Sequence, residues 1–363
     1  MSVAPQSLQL PDGARVTVLA GGTGGHIFPG LAVAEVLRKA GARVDWLGTP
    51  HGLENRLVPA AGFPLGRVRI EGLRGRGFAG WLAAPFRILR AMREARAVLK
   101  VDRPACVLSM GGYAAGPAGL VARLMGIDLV IHEQNAVAGW TNRLLRPWAR
   151  SVCTGFPGVF DGARVTGNPV RTSIASLPTP AERYTGRSGP LRLLVVGGSQ
   201  GASVFNRVVP EAVASLPLQR RPRIRHQAGR QLAAAREHYA AAGVEADVRD
   251  FIDDMAEAWS WADLAICRAG ALTVAELAAA GVPALLVPLP SAVDDHQTAN
   301  ARYLSDPGAA WLMPQGGLTP GRLADRITGL DRELLLTVAS RARELARPDA
   351  AAAVARACAE VLA

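Results

Sequence analysis

The sequence predicts an α/β protein built from two Rossmann-like domains that face each other across a cleft. Three observations carry this. Strand and helix patterns alternate along almost the whole chain, one strand-loop-helix design occurs twice about 175 residues apart, and 363 residues at about 150 per domain make two cores.

The first strand, residues 16–20, runs into Gly21-Gly22-Thr23-Gly24-Gly25-His26 and an apolar helix over residues 30–40. Glycines let such a loop turn tightly and bare its N–H groups, and the helix start offers an anion about half a positive charge. Ile27 stands where the dinucleotide fingerprint Gly-x-Gly-x-x-Gly needs its last glycine, which disfavours a standard NAD site. No Gly-Lys-Ser/Thr occurs and the only lysines are Lys39 and Lys100, which excludes a P-loop kinase or ATPase. Further strands are expected at residues 44–47, 105–110, 129–132 and 151–154. The design then restarts: the strand at residues 191–196 leads into Gly197-Gly198-Ser199-Gln200-Gly201-Ala202 and a second helix. Strands at 224–227, 244–251, 264–267 and 284–287 complete the second half. Gly167-Asn168-Pro169-Val170-Arg171 and the Pro/Thr/Ser/Gly-rich run 176–190 read as the boundary. The expected division is residues 1–168, 169–345 and a last helix over 346–363 packing back on the first domain.

Composition bounds the class. With 49% hydrophobic and 20% charged residues the chain is globular. Residues 1–14 lack the basic start and apolar core of a secretory signal, so the protein is expected to stay in the cytoplasm. The apolar stretch 269–293 is broken by Glu276, Gly281, Pro283, Pro288 and Pro290, which suits a buried helix and strand rather than a membrane span. Cys106, Cys153, Cys267 and Cys358 form no Cys-x-x-Cys pair and read as reduced, buried thiols.

The net charge is +11, and residues 67–103 hold ten basic residues against Glu71, Glu94 and Asp102. A helix there puts Ile88, Met92, Ala95 and Leu99 on one face and arginines on the other. Just before it, Leu73, Phe78, Trp81 and Leu82 lie among Arg74 and Arg76. One reading is a solvated arginine face over a core helix. The other is docking on an anionic membrane surface through Leu73, Phe78 and Trp81, where each basic residue adds about 1 kcal/mol. Nucleic acid is not expected as a partner, because no recognised module accompanies the patch.

Ligands of parallel sheets bind at the carboxyl ends of the strands, so the expected site lies in the cleft between the halves. The polar clusters near strand ends agree: Gly111-Gly112-Tyr113, His132-Glu133-Gln134-Asn135, the run from Arg268 to Glu276, and Asp294-Asp295-His296-Gln297-Thr298-Ala299-Asn300.

With these residues in place, the chain resembles the inverting two-domain glycosyltransferases of peptidoglycan synthesis, glycosyltransferase family 28, which have the GT-B fold. The resemblance runs from about residue 16 to 300 through six ordered motifs: Gly-Gly-Thr-Gly-Gly-His, Gly-Gly-Tyr, His-Glu-Gln-Asn, Gly-Asn-Pro-Val-Arg, Gly-Gly-Ser-Gln-Gly-Ala and Gly-Ala-Leu-Thr-Val-x-Glu. It implies transfer of N-acetylglucosamine (GlcNAc) from UDP-GlcNAc to the 4-OH of N-acetylmuramic acid (MurNAc) in undecaprenyl-pyrophosphoryl-MurNAc-pentapeptide. That is the step from lipid I to lipid II in cell wall synthesis. It also implies a peripheral place on the cytoplasmic face of the membrane, cell-wall synthesis proteins as further partners, and no cofactor.

For the donor, the resemblance implies that Ser199 and the amides around it hold the UDP phosphates, with Arg171 adding a fixed charge and fork-shaped donors. Glu276 would accept from both ribose hydroxyls, and Ala271, Leu272, Thr273, Val274 and Ala275 would form the helix start beside the phosphates. Ile252 would read uracil through its backbone groups. Asn135 and Gln297 would contact the GlcNAc ring, with His296 as the one-residue alternative to Gln297. Thr23, Gly24 and Gly25 would close the cleft from the acceptor side.

Inversion needs a base that takes the proton of the attacking hydroxyl. His26 is the first choice, since imidazole has an ordinary pKa near 6.5 and a helix start favours its neutral form. The other role open to His26 is hydrogen bonding to the acceptor diphosphate, and Glu133 is the rival base. No Asp-x-Asp occurs among the sixteen aspartates, so no metal site is expected. Two other readings stay open: a UDP-GlcNAc 2-epimerase, which would need no lipid acceptor, and a non-catalytic nucleotide-sugar-binding regulator.

Overall fold

The computed structural model describes residues 8, 10–11, 13–70, 84–198 and 200–362. Ser199, Leu73, Phe78 and Trp81 lie outside them. The chain forms two compact units, residues 1–171 with 347–363, and residues 172–346.

The first unit is a wholly parallel sheet of seven strands: β1 (Arg15–Leu19), β2 (Arg43–Gly48), β3 (Leu65–Arg67), β4 (Cys106–Ser109), β5 (Asp128–Glu133), β6 (Ser151–Thr154) and β7 (Arg164–Val165). Their order is β3-β2-β1-β4-β5-β6-β7, with Val16 opposite both Val44 and Cys106. The strand order reverses between β1 and β4, and the crevice beyond their carboxyl ends is where such sheets bind ligands. The inner strands are buried along nearly their whole length, Thr17 and Ser109 included, because helices cover both faces. On one face the helix Gly24–Lys39 buries Ile27, Val33, Ala34 and Leu37, and the last helix, Ala350–Glu360, packs beside it through Val354, Ala355 and Cys358. On the other face the helices Ala84–Val101 and Ala115–Leu124 bury Ala91, Ala95, Leu99, Ala118 and Val121.

The second unit repeats the plan with β8 (Arg192–Val196), β9 (Arg223–Gln227), β10 (Asp247–Arg249), β11 (Leu264–Cys267), β12 (Ala284–Leu286) and β13 (Trp311–Leu312). Its order is β10-β9-β8-β11-β12-β13, again parallel, so its switch point lies between β8 and β11. The strand expected over 244–251 is shorter, because Val244 to Ala246 and Asp250 onward belong to the connecting loops. All four cysteines are buried and none forms a disulfide. Among the described residues no helix is long and apolar enough to cross a membrane.

Candidate active site

Five of the six motifs fall just beyond the carboxyl end of a strand, and the sixth, His132-Glu133-Gln134-Asn135, straddles the end of β5. The first two flank the switch point of the first unit. Gly111 and Gly112 adopt φ of 84° and 82°, the left-handed region that favours glycine. A Cβ on Gly112 would sit 3.2 Å from the Gly21 carbonyl and 3.5 Å from His26 Cδ2, so these glycines let the two loops meet around the imidazole.

His26 is the third residue of the Gly24–Lys39 helix, which no side chain caps at Thr23. Its ring is half-buried, and Nδ1 lies 2.9 Å from Gln134 Oε1. Gln134 Nε2 lies 3.0 Å from His132 Nδ1 and donates to the His132 carbonyl at 3.1 Å. His132 Nε2 in turn lies 3.0 Å from the Gly167 carbonyl. Burial without solvent pushes the His132 imidazole down to a pKa of about 4, against smaller raising effects of Gly167 and Glu133. Asn168 donates to the Gln134 carbonyl at 2.9 Å, so the Gly-Asn-Pro-Val-Arg motif braces the strand-end motif from behind. Arg171 ends this unit with its guanidinium 5.1 Å from the ring centre of Phe28, two residues after His26.

Glu133, the rival base, is held in a network of its own. Its buried carboxylate accepts from the Asn135 amide at 3.0 Å and side chain at 3.3 Å through Oε1, and from the Gly139 amide and Asn142 Nδ2, both at 2.9 Å, through Oε2. Both oxygens are committed to tying down the loop that carries Asn135. A residue that the motifs did not single out is Glu54. It is fully buried beneath the first glycine loop and accepts from Gly22 N at 3.0 Å and from Thr49 N and Oγ1 at 2.7 and 2.6 Å.

In the second unit, Gly197 donates to the Gln227 carbonyl at 3.1 Å and Gly201 to Gly198 at 3.1 Å, closing a tight turn ahead of the Ser203–Ala214 helix. Gly201 has φ of 77°, and a Cβ there would lie 2.2 Å from the Ala228 carbonyl, so nothing larger fits. Across the switch point, Gly270 starts the helix Ala271–Ala280 with no side-chain cap, leaving the amides of its first turn aimed beyond β11. Ala271 and Val274 are buried, whereas Leu272, Thr273 and Ala275 are half-buried. Glu276 is buried on the next turn and accepts from Trp259 Nε1 at 3.1 Å, which gives this indole an orienting role that the sequence does not signal. The Ile252 amide donates to Gln227 Oε1 at 3.1 Å, so of the two backbone groups expected to read a base one is already engaged. Gln297 accepts from the Leu289 amide at 3.0 Å, and His296 Nδ1 lies 2.7 Å from the Val293 carbonyl. Asp294 and Asp295 precede them at φ of 52° and 48°, a pair of left-handed residues of the kind that clusters at functional sites.

The N-terminal domain of glycosyltransferase family 28 matches residues 16–154, and the C-terminal domain of the same family matches residues 192–354. The chain belongs to glycosyltransferase family 28. This family 28 enzyme is 59% identical over 350 residues to the UDP-N-acetylglucosamine--N-acetylmuramyl-(pentapeptide) pyrophosphoryl-undecaprenol N-acetylglucosamine transferase of Alkalilimnicola ehrlichii, over 95% of this chain and 98% of the relative. The Bordetella petrii protein of the same name is 58% identical over 344 residues, 94% of this chain and 96% of its own. Among solved structures, Acinetobacter baumannii MurG is similar at a TM-score of 0.82 and 45% identity, covering 96% of this chain and 99% of that one. A UDP-N-acetylglucosamine 2-epimerase from Listeria monocytogenes, 16% identical at a TM-score of 0.65 over 94% of each chain, shares the fold alone. Both family 28 domains are thus present, each on one parallel sheet.

Proposed function

We infer that the enzyme transfers GlcNAc from UDP-GlcNAc, with inversion, to the MurNAc 4-OH of undecaprenyl-pyrophosphoryl-MurNAc-pentapeptide, converting lipid I to lipid II. The observation that carries the reading is the near-full-length identity of 59% to a transferase of that name, with four of this chain's motifs flanking the switch points of its two sheets.

The two glycine loops divide the chemistry. Beneath the first lies the Glu54 carboxylate, which holds the Gly22 amide and repels a second anion at that spot. The second loop is braced by backbone contacts, and the uncapped helix start at Ala271 stands across its switch point. That pair of features suits the UDP diphosphate, whose charge grows as it leaves and is stabilised by fixed amide dipoles. Ser199 and the 271–275 amides are assigned to the phosphates, Glu276 to the ribose and the Ile252 carbonyl to uracil. Gln297 and Asn135 are assigned to the sugar. Arg171 is assigned to a phosphate. In the first unit His26 takes the proton of the attacking hydroxyl as its oxygen bonds to the anomeric carbon and the bond to UDP breaks.

The acceptor is lipid-linked, and the described surface of the first unit suits a membrane. Phe86, Leu89, Leu124, Trp140 and Leu144 are large, exposed apolar residues on three helices, 84–101, 115–124 and 140–145, each packed on the next. Arg90, Arg93, Arg96 and Lys100 are exposed beside them. Apolar side chains within a basic field fit peripheral docking on anionic lipid at the cytoplasmic face. Leu73, Phe78 and Trp81 are proposed to extend this surface.

The test is transfer of labelled GlcNAc from UDP-GlcNAc to a lipid-linked MurNAc-pentapeptide, beside a control without acceptor. Lipid II formation is expected. Appearance of UDP-ManNAc in the control, with no transfer when acceptor is added, would overturn the reading in favour of an epimerase.

A further inference from the structure

We propose that Gln134 and His132 are positioning residues that hold His26 in the tautomer with its proton on Nδ1, so that the Nε2 lone pair is the one presented to the acceptor hydroxyl. The inference rests on the reading of His26 as the base.

The argument runs outward from the backbone. The Gly167 carbonyl can only accept, so His132 Nε2, 3.0 Å away, must carry a proton and donate to it. His132 is fully buried and its pKa is pushed down to about 4, so it holds a single proton near neutrality and its Nδ1 is a bare acceptor. Gln134 then has one permitted orientation. Its Nε2 faces two acceptors, His132 Nδ1 at 3.0 Å and the His132 carbonyl at 3.1 Å, and a flipped amide would set its oxygen against both. The Gln134 oxygen is thereby turned to His26 Nδ1 at 2.9 Å, where it accepts. The proton of neutral His26 therefore sits on Nδ1, and Nε2 makes no hydrogen bond among the described residues.

The fit is maintained from two sides. Asn168 grips the Gln134 carbonyl at 2.9 Å, and the Gly167 carbonyl also accepts from Thr166 Oγ1 at 3.1 Å. The glycines at 111 and 112 leave the other side of the ring open: a Cβ at Gly112 would stand 3.8 Å from Nε2. Two motifs far apart in sequence, His-Glu-Gln-Asn and Gly-Asn-Pro-Val-Arg, are in this arrangement a single device that acts on a third. Without it the ring would favour the opposite form, since an unconstrained histidine side chain prefers its proton on Nε2, where it cannot act as a base. A wrong tautomer is a severe loss for a histidine base, as serine protease triads show.

The experiment is nitrogen NMR of the full-length protein labelled at histidine, with resonances assigned by a His26→Asn variant, beside steady-state kinetics. In the wild type near neutral pH, His26 is expected to show a protonated Nδ1 and an unprotonated Nε2. Gln134→Ala should shift His26 toward the Nε2–H form and lower kcat by about 10- to 100-fold, with the KM for UDP-GlcNAc unchanged. Folding of Gln134→Ala is checked by that unchanged KM and by the His51 and His226 resonances staying at their wild-type positions. A wild-type His26 protonated on Nε2, or a Gln134→Ala tautomer identical to wild type, would overturn the proposal. If instead the tautomers behave as expected while His26→Ala retains full kcat, the positioning stands and the base assignment falls.

Discussion

The two units share one strand order around their switch points, yet their first glycine loops are built for different work. In the first, the Gly22 amide is spent on Glu54, a carboxylate with no exposure, and the helix that follows opens with a histidine in its first turn. In the second, the described loop residues close through backbone bonds, with Gly201 pressed against the Ala228 carbonyl, and the helix that follows has no charged residue in its first turn. A buried anion makes the first loop a poor cradle for a nucleotide diphosphate, and an imidazole makes it fit for proton transfer. On the proposed reading, one supersecondary design serves acid-base work in one copy and anion binding in the other. What separates them is two side chains.

The contrast can be broken most forcefully at His26. His26→Ala should reduce kcat by about 100- to 10,000-fold while UDP-GlcNAc affinity, measured by calorimetry, stays within about twofold. An equal loss of both would place donor binding at the first loop. Next in size is Glu54→Ala, which strands the Gly22 and Thr49 donors in the interior and should cost roughly 3 kcal/mol. Hydrogen exchange should show the loss in the first unit, with β8 to β12 as protected as before.

Acid should strike the two units alike. His132 in the first and His226 in the second are buried, and each has its pKa pushed down to about 4. Unfolded, each would titrate near 6.5, so the unfolded chain binds more protons as pH falls below that value. Their stabilising contribution is complete above pH 6.5 and is lost on the way down to 4, at roughly 2 kcal/mol per group between pH 7 and pH 5. Urea midpoints at the two pH values measure it, and no change in the first unit would mean that His132 is not held neutral. Smaller still, Glu276→Ala should weaken UDP-GlcNAc about 10- to 100-fold through loss of charge-assisted bonds to the ribose, with acceptor KM unmoved. The smallest expected effect is none at all: transfer should proceed in excess chelator, and restoration by magnesium of a chelator-inhibited enzyme would contradict it.

Much of this architecture is legible without coordinates because it is written locally. Glycine loops after apolar runs mark the strand ends, and the polar clusters at 111–113, 132–135 and 268–276 mark the others. Less is legible where a side chain answers to a distant one. Glu54 sits in a short helix after His51 and Gly52, in a segment that reads as surface, and only the packing of β1 beside β2 carries it under the loop. Nothing in the local sequence around Trp259 signals its bond to Glu276, which depends on two helices meeting. The two-residue strands β7 and β13 lie below the length at which alternation or an apolar run can signal a strand. The helix over 84–101 has the core face expected of it in Ala95 and Leu99, joined by Ala91, while Phe86 and Leu89 stand exposed among the arginines.

By itself, then, the sequence determined the class of fold, the doubling of the unit and the chemistry gathered at the strand ends, because each of these depends on neighbours a few residues apart. Tertiary structure alone decided which acidic groups are tied up in the scaffold and which nitrogen of His26 carries its proton. Those choices follow from hydrogen bonds between residues such as His26 and Gln134, 108 apart in the chain, whose donors and acceptors come to face one another once the sheet has closed.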